Sequence, residues 1–98
     1  MPRPKKRRRL GHKLHYDQFG PKGIRNVAFV DLELDELEVV RLIDYENMTQ
    51  AECAQKMGVA RTTVQRVYSE TRKKIATAII EGKTLVIKNI DYDKIYKN

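Results

Sequence analysis

A chain of 98 residues, 41% of them hydrophobic, has room for one small folded domain and little for a deep enclosed active site. Its 20 lysines and arginines outnumber 13 acids and leave a net charge of +7, which favours polyanions as partners, nucleic acid first and acidic membrane surfaces second. A single cysteine excludes an internal disulfide and suits a reducing, cytoplasmic setting, and neither a bilayer-spanning run of roughly 20 apolar residues nor a secretory signal is visible.

Residues 1–26 read as a flexible basic arm. Arg3, Lys5, Lys6, Arg7, Arg8, Arg9 and Lys13 carry its charge, and residues 1–16 hold no acid. Pro2, Pro4, Gly11, Gly20, Pro21 and Gly23 discourage helix and strand, and Tyr16 and Phe19 are the side chains that would pin the arm. The run Lys5, Lys6, Arg7, Arg8, Arg9 has three readings: an arm that tracks phosphates or enters a minor groove, a solvated tail, or a nuclear localisation signal. The first is favoured. His12 and His15 are too few for zinc, which takes four protein ligands or three plus water. No metal or cofactor is expected.

Residues 27–90 read as the folded domain. Val27 to Leu32 is rich in β-formers and predicts a strand. Helix 1 is expected from about Asp35 to Tyr45. Asp35 followed by Glu38 resembles a capping box, and Val39, Val40, Leu42 and Ile43 supply its apolar face. Helix 2 opens at Thr49, where Thr49 and Glu52 form a T-x-x-E capping box. Cys53, Ala54 and Met57 fall at helical spacing before Gly58 stops the helix. Helix 3 is expected from Arg61 to about Ile80, with Val64, Val67, Tyr68, Thr71, Ile75, Ala78 and Ile79 in one stripe and Gly82 ending it. Thr84 to Ile90 predicts a second strand. Residues 91–98 form a polar, tyrosine-bearing tail.

A helix-turn-helix asks for certain residues at fixed places. A small residue must sit where the two helices touch, and Ala54 does. A glycine must follow four residues later, and then an apolar plug; these are Gly58 and Val59. The second helix must bury apolar residues five and eight positions beyond the plug, at Val64 and Val67. All five conditions are met; a plain αα-hairpin with a basic surface is the rival reading. The same spacing turns Arg61, Thr62, Gln65, Arg66 and Ser69 outward as candidates for base readout, since arginine pairs with guanine and glutamine with adenine through two hydrogen bonds each. Thr49, Gln50, Thr63, Arg72 and Lys73, with Lys74 and the run Lys5 to Arg9, are candidates for backbone phosphates.

The segment EVVRLIDYENMTQAECAQKMGVARTTVQRVY, residues 38–68, resembles region four of bacterial sigma factors. The chain more closely resembles a family of small prokaryotic predicted DNA-binding proteins through its MPRPK start, Phe19-Gly20-Pro21, Arg41-Leu42-Ile43-Asp44, GVARTTVQR at 58–66 and Glu81-Gly82-Lys83. The resemblance implies a sigma-region-four-like reader of DNA and a role in transcriptional regulation. Such relatives often carry cysteines in the basic segment, where this chain has arginine and glycine. Ala60 stands where a serine or threonine N-cap is common, so helix 3 must lean on packing.

The expected fold is mainly α, a three-helix helix-turn-helix core with two short flanking strands and a basic N-terminal arm. Val27–Leu32 and Thr84–Ile90 could pair with each other, but an isolated two-stranded pair is marginal in water, so the strands are expected to pack on the helices or to pair across a homodimer. The expected partners are double-stranded DNA and RNA polymerase, with no membrane. A module that contacts the transcription machinery and an RNA-binding protein that uses the basic arm are the alternatives. No phosphate-binding glycine loop, Ser-His-Asp set or zinc-protease motif is present, and no enzymatic activity is expected.

Overall fold

Helical signals dominate residues 34–81, and in the computed structural model, which describes residues 17–88, they become three successive helices. Strand β1 is Gln18–Phe19 and strand β2 is Phe29–Leu32. Helix α1, Leu34–Val40, runs directly into a π-helical segment, Arg41–Tyr45. Helix α2, Gln50–Met57, helix α3, Arg61–Glu81, and strand β3, Thr84–Ile87, follow.

The α2–α3 junction follows from local chemistry. The Thr49 hydroxyl accepts from the Glu52 N–H at 3.0 Å, and the Glu52 carboxylate accepts from the Thr49 N–H at 2.8 Å. Both sides of the capping box are therefore made. At the other end Gly58 sits at φ 72°, a left-handed conformation that costs glycine little. The Gly58 N–H donates to the Gln55 carbonyl and the Val59 N–H to the Ala54 carbonyl. This is a Schellman close, with Val59 turned back onto the helix it ends.

Helix 1 begins one residue earlier than the sequence suggests. Glu33 is its N-cap, and the Glu33 N–H donates to the Glu36 carboxylate at 2.9 Å. The expected Asp35–Glu38 box is not the one used, because Glu38 is buried and has another partner. Arg41 donates from Nε and Nη2 to the two oxygens of Glu38, both at 2.9 Å, and from Nη1 to Glu46 at 3.0 Å. The hydrogen bond to Glu38 pushes Arg41 above its ordinary pKa. The Glu46 N–H reaches back to the Arg41 carbonyl, five residues away, and closes the wide turn.

Val39, Leu42, Cys53, Ala54 and Val64 form the buried centre, with Ile43, Met48, Met57, Val59, Val67 and Tyr68 packed round it. All three helices thus contribute to one core. Burial and the nearby Glu38 carboxylate push the Cys53 thiol above its ordinary value, so it behaves as a small apolar side chain.

The strands pack on the helices as expected, and they pair with each other rather than across a homodimer. β2 and β3 pair with each other inside one chain, in parallel, with Leu32 beside Ile87. The pair is not isolated, because β1 adds antiparallel to the other edge of β3 and gives the order β1-β3-β2. The described end of the expected arm therefore holds a strand. The two predicted strands are shorter than expected: β2 starts at Phe29 rather than Val27, and β3 spans Thr84–Ile87, while residues 89 and 90 of the expected second strand lie outside the described residues. Leu32 and Ile87 are buried against the helices. Ile79 departs from the predicted core stripe and is 70% exposed, one position round the helix from the buried Ala78.

Candidate nucleic-acid interface

Burial along α3 repeats every seven residues. Val64, Thr71 and Ala78 are fully or almost fully covered, which fixes the opposite face as the outer one. Arg61, Thr62, Gln65, Arg66 and Ser69 are all exposed there. Ala60 makes no side-chain cap; its carbonyl accepts from the N–H groups of Thr63 and Val64 at 3.0 and 3.2 Å. The start of α3 is held by the Ala54–Gly58–Val59 corner and by Val64, and its polar side chains are left uncovered.

The candidate phosphate contacts divide. Gln50 opens α2 and is half-buried, as is Thr63. The Thr49 oxygen already accepts the Glu52 amide, which leaves the hydroxyl hydrogen as its available donor. Lys73 is exposed on the same side of α3 as Ser69. Arg72 is drawn back to the protein: its Nε lies 3.6 Å from Asp44, and its guanidinium sits 5.3 Å from the centre of the Tyr68 ring. Lys74 is turned inward and donates to the Asp31 carbonyl at 3.1 Å and to the Glu36 carboxylate at 2.8 Å. It anchors α3 to β2 and α1, contrary to the phosphate role expected for it. Lys5, Lys6, Arg7, Arg8 and Arg9, with His12 and His15, lie outside the described residues.

Tyr68 belongs to the buried stripe through its ring, and its hydroxyl donates to Asp44 at 2.7 Å. That bond raises the tyrosine above its ordinary pKa, with the Asp44 charge adding to it and Arg72 opposing it. The Asp44–Tyr68–Arg72 group fastens the π segment to the middle of α3.

The chain matches, over residues 1–95, the family described as "Protein of unknown function DUF134". It belongs to that family. It is 46% identical over 94 residues to a UPF0251 protein of Desulfitobacterium hafniense (strain DSM 10664 / DCB-2), covering 94% of this chain and 75% of the relative. A UPF0251 protein of Halothermothrix orenii is 47% identical over 94 residues, 94% of this chain and 70% of its own. One from Vibrio vulnificus (strain YJ016) is 43% identical over 96 residues, 96% of each chain. No solved structure matches the chain. Among the described residues, no helix of this DUF134 chain is long and apolar enough to cross a membrane.

Two features of the DUF134 surface escape the motif spacing. Asp44 lies 24 residues from Tyr68, and nothing local couples them. Glu70 stands four residues after Arg66 and is bonded to it at 3.3 Å. That spacing is a readable signal for a helical ion pair.

Proposed function

We propose that this DUF134 protein binds double-stranded DNA in a sequence-dependent way and acts in transcriptional regulation, with α3 entering the major groove from Arg61. The observation that carries the reading is the uncovered polar start of α3. Arg61, Thr62, Gln65, Arg66 and Ser69 are exposed together on a helix whose other face is locked to α2. An α-helix fits the major groove, and these side chains match the hydrogen-bonding edges found there. The net charge of +7 supplies the long-range attraction. In this reading the protein works as a homodimer on paired half-sites.

The test is selection from random-sequence duplex DNA at near-physiological salt, followed by titration of Arg61→Ala and Gln65→Ala on the selected site. Each substitution is expected to cost about 1–3 kcal/mol and to relax preference at one base position. Lys6→Ala should instead weaken all sequences alike and reduce the salt slope. A selected motif with two-fold repeats supports the dimer, and a single half-site removes it. If Arg61→Ala and Gln65→Ala leave affinity and preference unchanged, α3 is not the reading helix.

A further inference from the structure

We infer that Glu70 is a positioning residue for base readout, holding Arg66 toward a guanine in the target and away from the phosphates. The inference rests on the DNA-binding reading above.

Glu70 is the one acid between Arg61 and Ile80, in a helix that also carries Arg66, Arg72, Lys73 and Lys74. Two of those cations turn to the protein's own acids, Arg72 to Asp44 and Lys74 to Glu36. Arg66 is exposed on the outer face, and its Nη1 donates to Glu70 Oε1 at 3.3 Å. Both side chains are more than half exposed, 62% and 54%, so the carboxylate faces solvent beside the very surface proposed to meet DNA.

A carboxylate there is a liability for phosphate attraction. Nor does helix stability account for it. Exposed ion pairs of this kind contribute little, and an arginine placed before its glutamate is the weaker order along a helix. The pair does serve base readout. Guanidinium offers five N–H donors in a fixed fork, and guanine takes two of them at O6 and N7. When DNA displaces water from the pair and strengthens it, the N–H given to Glu70 restrains the side chain and leaves the remaining donors a defined direction. The paired charge is close to neutral, so Arg66 gains little from displacing counterions along the phosphates. Its free energy of contact is then concentrated on the base edge.

The experiment compares the full-length wild type with Glu70→Ala, Arg66→Ala and the double variant. Each is titrated with the wild-type selected duplex, with duplexes carrying single base-pair changes, and with unrelated duplex, across a salt series. Glu70→Ala is expected to bind unrelated DNA more tightly, with a salt slope steeper by about 0.9. It should lose about fivefold or more of its discrimination at one G·C position. Arg66→Ala should lose discrimination at that same position, and adding Glu70→Ala to it should change nothing further there. Both sites are exposed, so thermal midpoints near wild type confirm that folding is not what moves. If the wild type selects a motif and Glu70→Ala shifts affinity equally for every sequence, the inference fails while the parent reading stands. If the wild type selects no motif, both fall together.

Discussion

Replacing Gly20 with alanine tests how β1 is fastened to the domain. A β carbon built at Gly20 overlaps the Thr84 hydroxyl and lies 2.9 Å from the Thr84 α carbon. The second contact is to backbone, so no rotation of a side chain relieves it, and β1 must move away from β3. That movement disturbs the pairing of Gln18 with Val86 and Phe19 with Leu85. It also strains the bond from the Ile87 N–H to the Asp17 carbonyl, 2.8 Å in the native chain. Overpacking of this kind costs about 1–3 kcal/mol. Releasing β1 instead forfeits about two backbone hydrogen bonds at roughly 0.5–1.5 kcal/mol each. Both routes give a loss of about 1–3 kcal/mol. Urea denaturation measures it, and amide hydrogen exchange locates it. The Ile87 amide should exchange faster in the variant. The Thr84 amide, which donates to the Ala28 carbonyl on the β2 side at 2.9 Å, should keep its protection. A variant with the wild-type urea midpoint and an equally protected Ile87 amide would refute the reasoning.

Two further perturbations probe α3. Thr71 is fully buried and its hydroxyl oxygen has no hydrogen-bond partner among the described residues, so Thr71→Val, nearly the same shape without the polar atom, should raise the denaturation midpoint by about 1 kcal/mol of stability; a lower midpoint would show that the hydroxyl is satisfied in the native state. Tyr68 carries a folded-state pKa raised above the ordinary 10.0, chiefly by its hydrogen bond to Asp44. The folded chain therefore holds that proton more tightly than the unfolded chain. The stabilisation is complete below pH 10.0 and is lost as pH rises through the folded value. Thermal melts of wild type and Tyr68→Phe from neutral to alkaline pH should show the variant losing less stability above pH 10, and parallel curves would remove the Asp44 bond as the cause.

The parts of this fold that can be read from sequence are those fixed within a few residues. Thr49 with Glu52, Gly58 after Met57 and Gly82 after Glu81 each settle an end of a helix, and α2 and α3 fall where they predict. Helix 1 is harder because Glu33, Asp35, Glu36 and Glu38 offer overlapping spacings for a capping box. The choice between them depends on the burial of Glu38 when the domain packs, a tertiary event, and on its pairing there with Arg41 three residues on. The π segment has no distinct sequence signal; it shows only in the hydrogen bonds of Glu46 and Met48 to carbonyls five and six residues back. β1 spans two residues beside Gly20-Pro21 and has no periodicity to detect. Its existence depends on β3, more than 60 positions away in the chain. For the candidate site, exposure follows from the helical period, but commitment does not. Arg72, Lys73 and Lys74 are equivalent basic residues in the sequence, and only packing shows that Lys74 is tied to Asp31 and Glu36, that Arg72 reaches Asp44 while staying 62% exposed, and that Lys73 is exposed.

The topology explains why a long α3 can present its first turns so openly. β2 leads into α1 and β3 leaves α3, so the parallel pairing of these strands joins the two ends of the whole helical unit. A parallel pair requires a long crossover, and here the crossover is the whole helical unit from α1 to α3. At 21 residues, α3 is about 31 Å long. Val64, Thr71 and Ala78 carry the buried contacts along its inner side, and Lys74 adds the tie to Asp31 and Glu36. Those contacts fix the direction of the helix axis without help from the residues between Arg61 and Ser69 on its outer face. The outer face can then be chosen for hydrogen-bonding chemistry alone, because the axis that aims it is set by residues on the inner side, from Val64 to Ala78.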